Sequence, residues 1–156
     1  MTKRVSIRLA VASEREELEA LQFRSSIENS GDRDALLANP DAIVLPEGQI
    51  VAGQVFVAEI EDERVGFAAV LPRADGETEL DGLFTEPGYW GHGVGRILVD
   101  RCAAYAIANG SQALHVVANP HAKGFYVACG FKTLGECSTR FGVGLLMRKT
   151  LLTVAV

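Results

Sequence analysis

The sequence predicts a mixed α/β fold on a largely antiparallel sheet, and three observations lead there. Alternating apolar and polar residues mark several short strands bounded by turn residues. Helical periodicity falls between some of those strands and not between others, so the sheet mixes crossovers with hairpins. A glycine-rich loop, Gly91-His92-Gly93-Val94-Gly95, stands between a strand and a helix. The length of 156 residues fits a single domain over 1–156. A domain of that size buries roughly 70% of its unfolded surface and needs neither disulfide nor metal to fold.

Val5 to Ala10 alternates and reads as the first strand. Ser13 with Glu16 three residues later is a capping-box pattern. A helix over about 14–26 follows, with Leu18, Leu21 and Phe23 as its apolar contacts. Residues 29–54 are the least legible part. Asp32 to Ala38 reads as a short helix stopped by Asn39-Pro40, and Leu45-Pro46-Glu47-Gly48 as a turn. Val55–Ile60 and Arg64–Leu71 flank Glu61-Asp62-Glu63 as a hairpin, and Pro72 to Glu77 is a loop. Thr78–Thr85 is the fourth strand, closed by Glu86-Pro87-Gly88. The helix after the glycine loop runs to about Ala108, placing Val94, Leu98, Cys102 and Tyr105 on one face, and Asn109-Gly110 caps it. Ala113–Ala118 is the fifth strand. A short helix covers about Pro120 to Cys129, and Phe131–Ser138 with Val143–Thr150 close the sheet as a hairpin.

Hydrophobic residues make up 48% and charged residues 22%, which excludes a disordered or collagen-like chain. Fifteen basic and twenty acidic residues give a net charge of -5, a poor balance for general nucleic-acid binding. The three cysteines, Cys102, Cys129 and Cys137, have no paired spacing, which points to reduced thiols in a cytoplasm and away from a zinc site. The start, Met1 to Arg8, has no apolar signal core. The longest stretch without charge, Cys102 to Ala122, is broken by Asn109-Gly110 and Asn119-Pro120, so no membrane span is expected.

Strand, Gly-x-Gly-x-Gly, helix is an anion-binding arrangement. Glycines let backbone N–H groups approach a phosphate, and the helix N-terminus adds roughly half a positive charge. A P-loop would need Gly-Lys-Ser/Thr, whereas Gly95 is followed by Arg96-Ile97. A dinucleotide fold would place GxGxxG after an early strand of a parallel sheet, and this loop comes late with another spacing. The third phosphate-binding class is the acyl-CoA site of an acetyltransferase, and a plain structural turn is the alternative reading of the same glycines.

Leu80-Asp-Gly-Leu-Phe-Thr-Glu-Pro-Gly-Tyr-Trp-Gly-His-Gly-Val-Gly-Arg-Ile-Leu-Val99 resembles the acetyl-CoA motif of the GNAT N-acetyltransferase superfamily. A second segment, Asn119-Pro-His-Ala-Lys-Gly-Phe-Tyr126-Val-Ala-Cys-Gly-Phe131, is similar to that family's Asn-x-x-Ala-x-x-Phe-Tyr-x-x-x-Gly-Phe pattern. The resemblance covers most of the chain, most strongly residues 55 to 150. It implies the GNAT fold: a mixed, mostly antiparallel sheet of six to seven strands flanked by helices, with the fourth and fifth strands splayed to admit the pantetheine arm. One departure is plain. The family's first motif usually opens with Arg or Gln, and here Trp90 holds that place, so the loop's own cation is at most His92.

The resemblance assigns cofactor contacts to Leu83, Phe84 and Thr85 at the end of the fourth strand, to Trp90, Gly91, His92, Gly93, Val94, Gly95 and Arg96 around the phosphates, and to Asn119, Lys123 and Tyr126 after the fifth strand. Gly82 would suit a bulge that re-aims backbone groups. Tyr126 matches the family tyrosine near the CoA sulfur. Reference values of about 10 for a phenol and 8.5 for a thiol make it a plausible proton donor to the leaving thiolate, the alternative being a packed, locally bonded ring. Asn119 also suits an N-cap before Pro120.

A general base is less marked. Glu79 and Asp81 share a strand face, and His115 lies in the fifth strand, close to where some relatives carry a base. Solvated carboxylates and a structural histidine are the alternative readings. Cys102 and Cys129 read as core residues. The implied reaction moves an acetyl group from acetyl-CoA, with no metal, to a small-molecule or peptide primary amine by direct attack. A module that holds acyl-CoA without transferring it is the competing reading. Residues 25–54, with Glu28, Asp32 and Asp34, and the last hairpin are the expected acceptor region. The apolar tail Leu151–Val156 either extends the last strand or meets a second subunit, so a homodimer stays open as a partner.

Overall fold

The computed structural model describes residues 4–28 and 33–151. Seven strands form one sheet in the order β1-β2-β3-β4-β5-β7-β6, where β1 is Ser6–Leu9, β2 Val55–Ile60, β3 Glu63–Pro72, β4 Thr78–Thr85, β5 Ala113–Ala118, β6 Phe131–Thr139 and β7 Gly142–Thr150. The helices are α1 Arg15–Ile27, α2 Arg33–Ala38, α3 Glu47–Val51, α4 Val94–Ala108 and α5 Lys123–Ala128. The mixed sheet, the flanking helices and the parallel β4–β5 pair match the predicted class. The chain clusters into two compact units, Met1–Ala69 with Gly82–Leu98, and Val70–Asp81 with Val99–Val156. No helix among the described residues is long and apolar enough to cross a membrane.

In the first unit β1 lies antiparallel to β2, from Ser6↔Glu59 to Leu9↔Phe56, and β2 turns into β3. Glu61 and Asp62 take φ of 49° and 66°, the left-handed pair a two-residue hairpin turn requires. Leu18 and Leu21 of α1 pack with Leu45, Ile50, Val55, Val57, Phe67 and Ala69, and Phe84 packs against that cluster. Burying a large aliphatic side chain stabilises a fold by about 1.5–3 kcal/mol, so this cluster holds α1 on the strands.

The expected Ser13–Glu16 capping box does not form. The chain enters α1 through a 3₁₀ turn, Ala12–Glu14, in which the Val11 N–H donates to the Glu14 carboxylate at 2.9 Å. Glu14, not Ser13, is the buried residue here, because Arg8 and Arg64 both reach its carboxylate. Between α1 and β2 the prediction of a helix ending at Ala38 holds for Arg33–Ala38, with Asp32 outside the described residues. The Asn39 side-chain amide donates to Ala35 O at 2.9 Å and closes that helix. The turn expected at 45–48 is instead the start of α3, with Pro46 at its N-cap. Tertiary contacts hold this short helix: Ile50 is buried, and Glu19 accepts the Leu45 N–H at 2.9 Å.

In the second unit β4 runs parallel to β5 over Thr78↔Leu114, Glu79↔His115 and Leu80↔Val116. β5 pairs antiparallel with β7 along its whole length, and β7 with β6, with a bulge at Thr133/Gly135. One face carries the buried Leu80, Leu114, Val116, Ala118, Leu145 and Met147. Cys102, Ala106, Tyr126 and Cys129 are buried as well. The Thr78 and Ser111 hydroxyls share a buried 2.6 Å bond at the start of the β4–β5 pair. α5 stops where predicted: Gly130 has φ 96°, and Lys149 Nζ donates to the Cys129 carbonyl at 2.5 Å. β7 ends at Thr150, and the Leu151 N–H donates to Gln112 O at 2.9 Å. The rest of the predicted tail, residues 152–156, lies outside the described residues.

Candidate active site

The glycine loop belongs to the first unit. Glu86 continues the sheet by donating its N–H to Val65 O at 2.8 Å, and its carboxylate takes a two-point ion pair from Arg24 of α1 at 2.9 and 2.8 Å. A 3₁₀ turn, Pro87–Tyr89, follows, and the Tyr89 hydroxyl donates to Glu63 at 3.1 Å. Trp90 then reaches back: its indole Nε1–H donates to Thr85 O at 2.9 Å. The loop is therefore tied to α1, to the start of β3 and to the end of β4 before it reaches Gly91.

Gly91 and Gly93 have φ of 83° and 80°, conformations costly to a side-chain-bearing residue. A Cβ at either would meet nothing within 4 Å, so the space over those backbones is open. α4 starts at Val94, with Ile97 N–H donating to Gly93 O at 3.2 Å. The opening-turn amides of an α-helix have no carbonyl of their own helix to bond, and the helix dipole is positive there. Together with the open glycines this is a cradle whose chemistry fits a phosphate or pyrophosphate. His92 and Arg96 are exposed, and the His92 ring bonds the Trp90 carbonyl at 3.1 Å.

Leu83, Phe84 and Thr85 occupy the end of β4. The Phe84 ring lies over Gly82, where a Cβ would come within 3.0 Å of the ring edge, and stacks obliquely on Phe67 at 5.3 Å. Gly66 of β3 was not singled out from sequence. A Cβ there would be 2.8 Å from the Phe84 carbonyl and 3.1 Å from Val94, so glycine lets β3, the end of β4 and the start of α4 approach closely. Its signal in the sequence is a lone glycine inside an otherwise apolar strand.

The other expected residues belong to the second unit. Asn119 stands at the N-cap position of the 3₁₀ turn Pro120–Ala122, and Ala122 N–H donates to its carbonyl at 2.9 Å. Lys123 is exposed at the first position of α5. Tyr126 is buried, with its ring edge-on to Phe125 at 5.1 Å and to Phe131 at 5.3 Å. Burial pushes its phenol well above the ordinary value, with smaller contributions from Cys129 and Cys102. Burial likewise pushes the Cys102 thiol up to about 12, so it stays a protonated core residue and not a nucleophile.

Glu79 and His115 are register partners and share a sheet face, with Glu79 half-buried and Asp81 exposed. Glu77, the last loop residue before β4 and not singled out from the sequence, lies two residues before Glu79. Its Oε1 lies 3.7 Å from His115 Nε2, and its Oε2 accepts the Gln112 N–H at 2.9 Å. His115 Nε2 is buried with no hydrogen-bond partner. Burial, then the nearby Arg73, lower the imidazole pKa, against the opposing effect of Glu77. The ring is thus neutral at pH 7, the form able to accept a proton.

Residues 16–131 match the model of the acetyltransferase (GNAT) family. Among solved structures, a GCN5-related N-acetyltransferase from Rhodopseudomonas palustris is 23% identical with a TM-score of 0.77, over 97% of this chain and 99% of that one. The PaiA N-acetyltransferase of Thermoplasma acidophilum, in complex with coenzyme A, is 17% identical with a TM-score of 0.74, over 94% and 99%. YncA of Salmonella typhimurium, with its cofactor acetyl-CoA, is 18% identical with a TM-score of 0.70, over 98% and 97%. None of the curated proteins is similar to it in sequence. With the family model spanning most of the chain and the predicted sheet, loop and helix in place, the chain belongs to the GNAT acetyltransferase family.

Proposed function

We propose that the protein is an N-acetyltransferase that moves an acetyl group from acetyl-CoA to a primary amine by direct attack. The observation that carries this reading is the strand–glycine loop–helix cradle at residues 83–96, open over Gly91 and Gly93, in a chain of this family. When bound, acetyl-CoA supplies an activated thioester. The chain's own part is to hold the phosphates on the backbone amides of residues 91–96, with Arg96 a permanent cation in the first turn of the helix that follows. Backbone groups at Leu83–Thr85 align the acyl arm and polarise its carbonyl.

Tyr126 holds its proton throughout the neutral range, and because burial makes its phenol a much weaker acid than a thiol, its part is to donate a hydrogen bond to the departing thiolate. As that sulfur leaves, the donated O–H stabilises the developing charge. On the amine side, a lysine-like ammonium has a pKa near 10.4, and restoring it to neutrality at pH 7 is worth up to about 4.6 kcal/mol. His115, Glu79 and Asp81 are the candidate groups for taking that proton, and His115 has the Glu77 carboxylate 3.7 Å from its Nε2. With Cys102 buried and protonated, direct transfer without a covalent acyl-enzyme is the simpler route.

The test is free-thiol release from acetyl-CoA against a panel of amines: small amines, amino acids, aminoglycoside-type antibiotics and peptides. Thiol release that depends on one class of amine supports the reading and identifies the acceptor. Tight CoA binding with no release on any amine would favour a module that only holds acyl-CoA.

A further inference from the structure

Trp90 is the chain's only tryptophan, and it immediately precedes the glycine loop. Residues 86–95 contain neither Lys nor Arg. The indole is nonetheless 45% exposed beside the phosphate cradle. Its single polar atom is already committed, since Nε1–H donates to Thr85 O at 2.9 Å. What the ring presents to solvent is therefore apolar π surface, held in place by that bond and followed directly by the left-handed Gly91. Tyr89 and His92, one residue before and two after, meet edge to face at 5.8 Å, so the rim of the cradle beside Trp90 is aromatic. A ligand carrying a polyphosphate and a flat heteroaromatic base matches both halves of such a site. The base supplies the stacking partner, and backbone amides supply the anion contacts.

We propose that Trp90 is the stacking platform for the adenine of the coenzyme, an aromatic contact to the base beside the backbone contacts to the phosphates. This rests on the acetyl-CoA reading above and adds the residue that sets specificity for the nucleotide end. Stacking of a base on an aromatic side chain is worth roughly tenfold in affinity, and an uncharged platform makes binding less salt-dependent than a cation would.

The experiment compares CoA with 4′-phosphopantetheine, which lacks the adenosine portion, on the wild type, Trp90→Phe and Trp90→Leu. Calorimetry gives affinities, and the fluorescence of the lone tryptophan reports the ring directly. The expected result is quenching by CoA and by adenosine 3′,5′-bisphosphate but not by phosphopantetheine. Trp90→Leu should weaken CoA by roughly tenfold and leave phosphopantetheine unchanged, while Trp90→Phe keeps most of the CoA affinity. An equal loss for both ligands, or unchanged CoA affinity in Trp90→Leu, overturns the proposal and leaves Trp90 as a loop fastener. Failure of the wild type to bind CoA at all would instead overturn the acetyl-CoA reading, and the platform with it.

Discussion

Arg8 meets Glu14 through two parallel N–H···O bonds of 2.7 and 2.9 Å, joining the first strand to the turn that opens α1. Glu14 is 4% exposed and Arg64 adds a third bond at 3.1 Å, so a carboxylate that the sequence offers as one of several near the helix start becomes the fastener of that end.

The Arg8 guanidinium holds the Glu14 carboxyl down at about 2, against 4.5 for the free group. A carboxyl lowered in the folded state contributes stability in full above its unfolded value and loses it as pH falls toward the folded one. The gap from 4.5 to about 2 corresponds to roughly 3 kcal/mol, present at pH 7 and lost between about pH 4.5 and 2. Glu14→Gln should lower urea-unfolding stability at pH 7 by about 2–3 kcal/mol and flatten the acid limb. A variant with an unchanged acid limb would contradict this assignment.

Tyr126→Phe keeps both edge-to-face ring contacts and removes only the hydroxyl. The expected outcome is a fall in kcat of about a hundredfold with CoA affinity preserved. Steady-state kinetics alongside calorimetric CoA binding separate the two. Unchanged kcat would leave the phenol with a packing role.

Two glycines give opposite forecasts. At Gly66 a Cβ would sit 2.8 Å from the backbone carbonyl of Phe84, so Gly66→Ala should cost about 1–3 kcal/mol and weaken CoA binding through the displaced end of β4. At Gly48, inside α3, a Cβ meets nothing within 4 Å, and Gly48→Ala should stabilise by about 0.4–1 kcal/mol. Thermal unfolding of the pair checks both signs at once.

His115 has its pKa lowered in the folded state, first by burial and then by Arg73. As pH falls below the ordinary value of 6.5, the unfolded chain takes up the proton first, so stability declines on the acid side of 6.5. His115→Gln should remove that part of the decline while the Glu14-dependent loss at lower pH remains. Denaturant titrations from pH 7.5 to 5 resolve it, and an identical slope in the variant would contradict a neutral buried imidazole.

The fold was legible where its cause is local. Thr78–Thr85 and Ala113–Ala118 match their predicted strands residue for residue, because alternation, Glu86-Pro87-Gly88 and Asn119-Pro120 bound them. α5 ends at Ala128, just before the left-handed Gly130, for a local reason of the same kind. Residues 29–54 were opaque because their helices are short and depend on distant partners, as when Glu19 bonds Leu45 across 26 residues. The Glu14 cluster gathers residues 8, 14, 59 and 64, a set no sequence window contains. At the candidate site the glycine loop was visible as a motif. What holds it was not: Arg24 with Glu86, Tyr89 with Glu63, and the Trp90 indole on Thr85 are side-chain bonds that only folding reveals.

Thermal unfolding with acetyl-CoA, CoA, ATP and NAD, each in large excess, tests the central claim most directly. A ligand at a hundred times its Kd stabilises by about 2.7 kcal/mol, a Tm shift of about 5–10 °C for a chain of this size. The account predicts that shift with acetyl-CoA and CoA, and a clearly smaller one with ATP or NAD, which carry adenine and phosphates but no pantetheine arm. No shift with either CoA species would contradict it and would leave the glycine cradle without the ligand assigned to it.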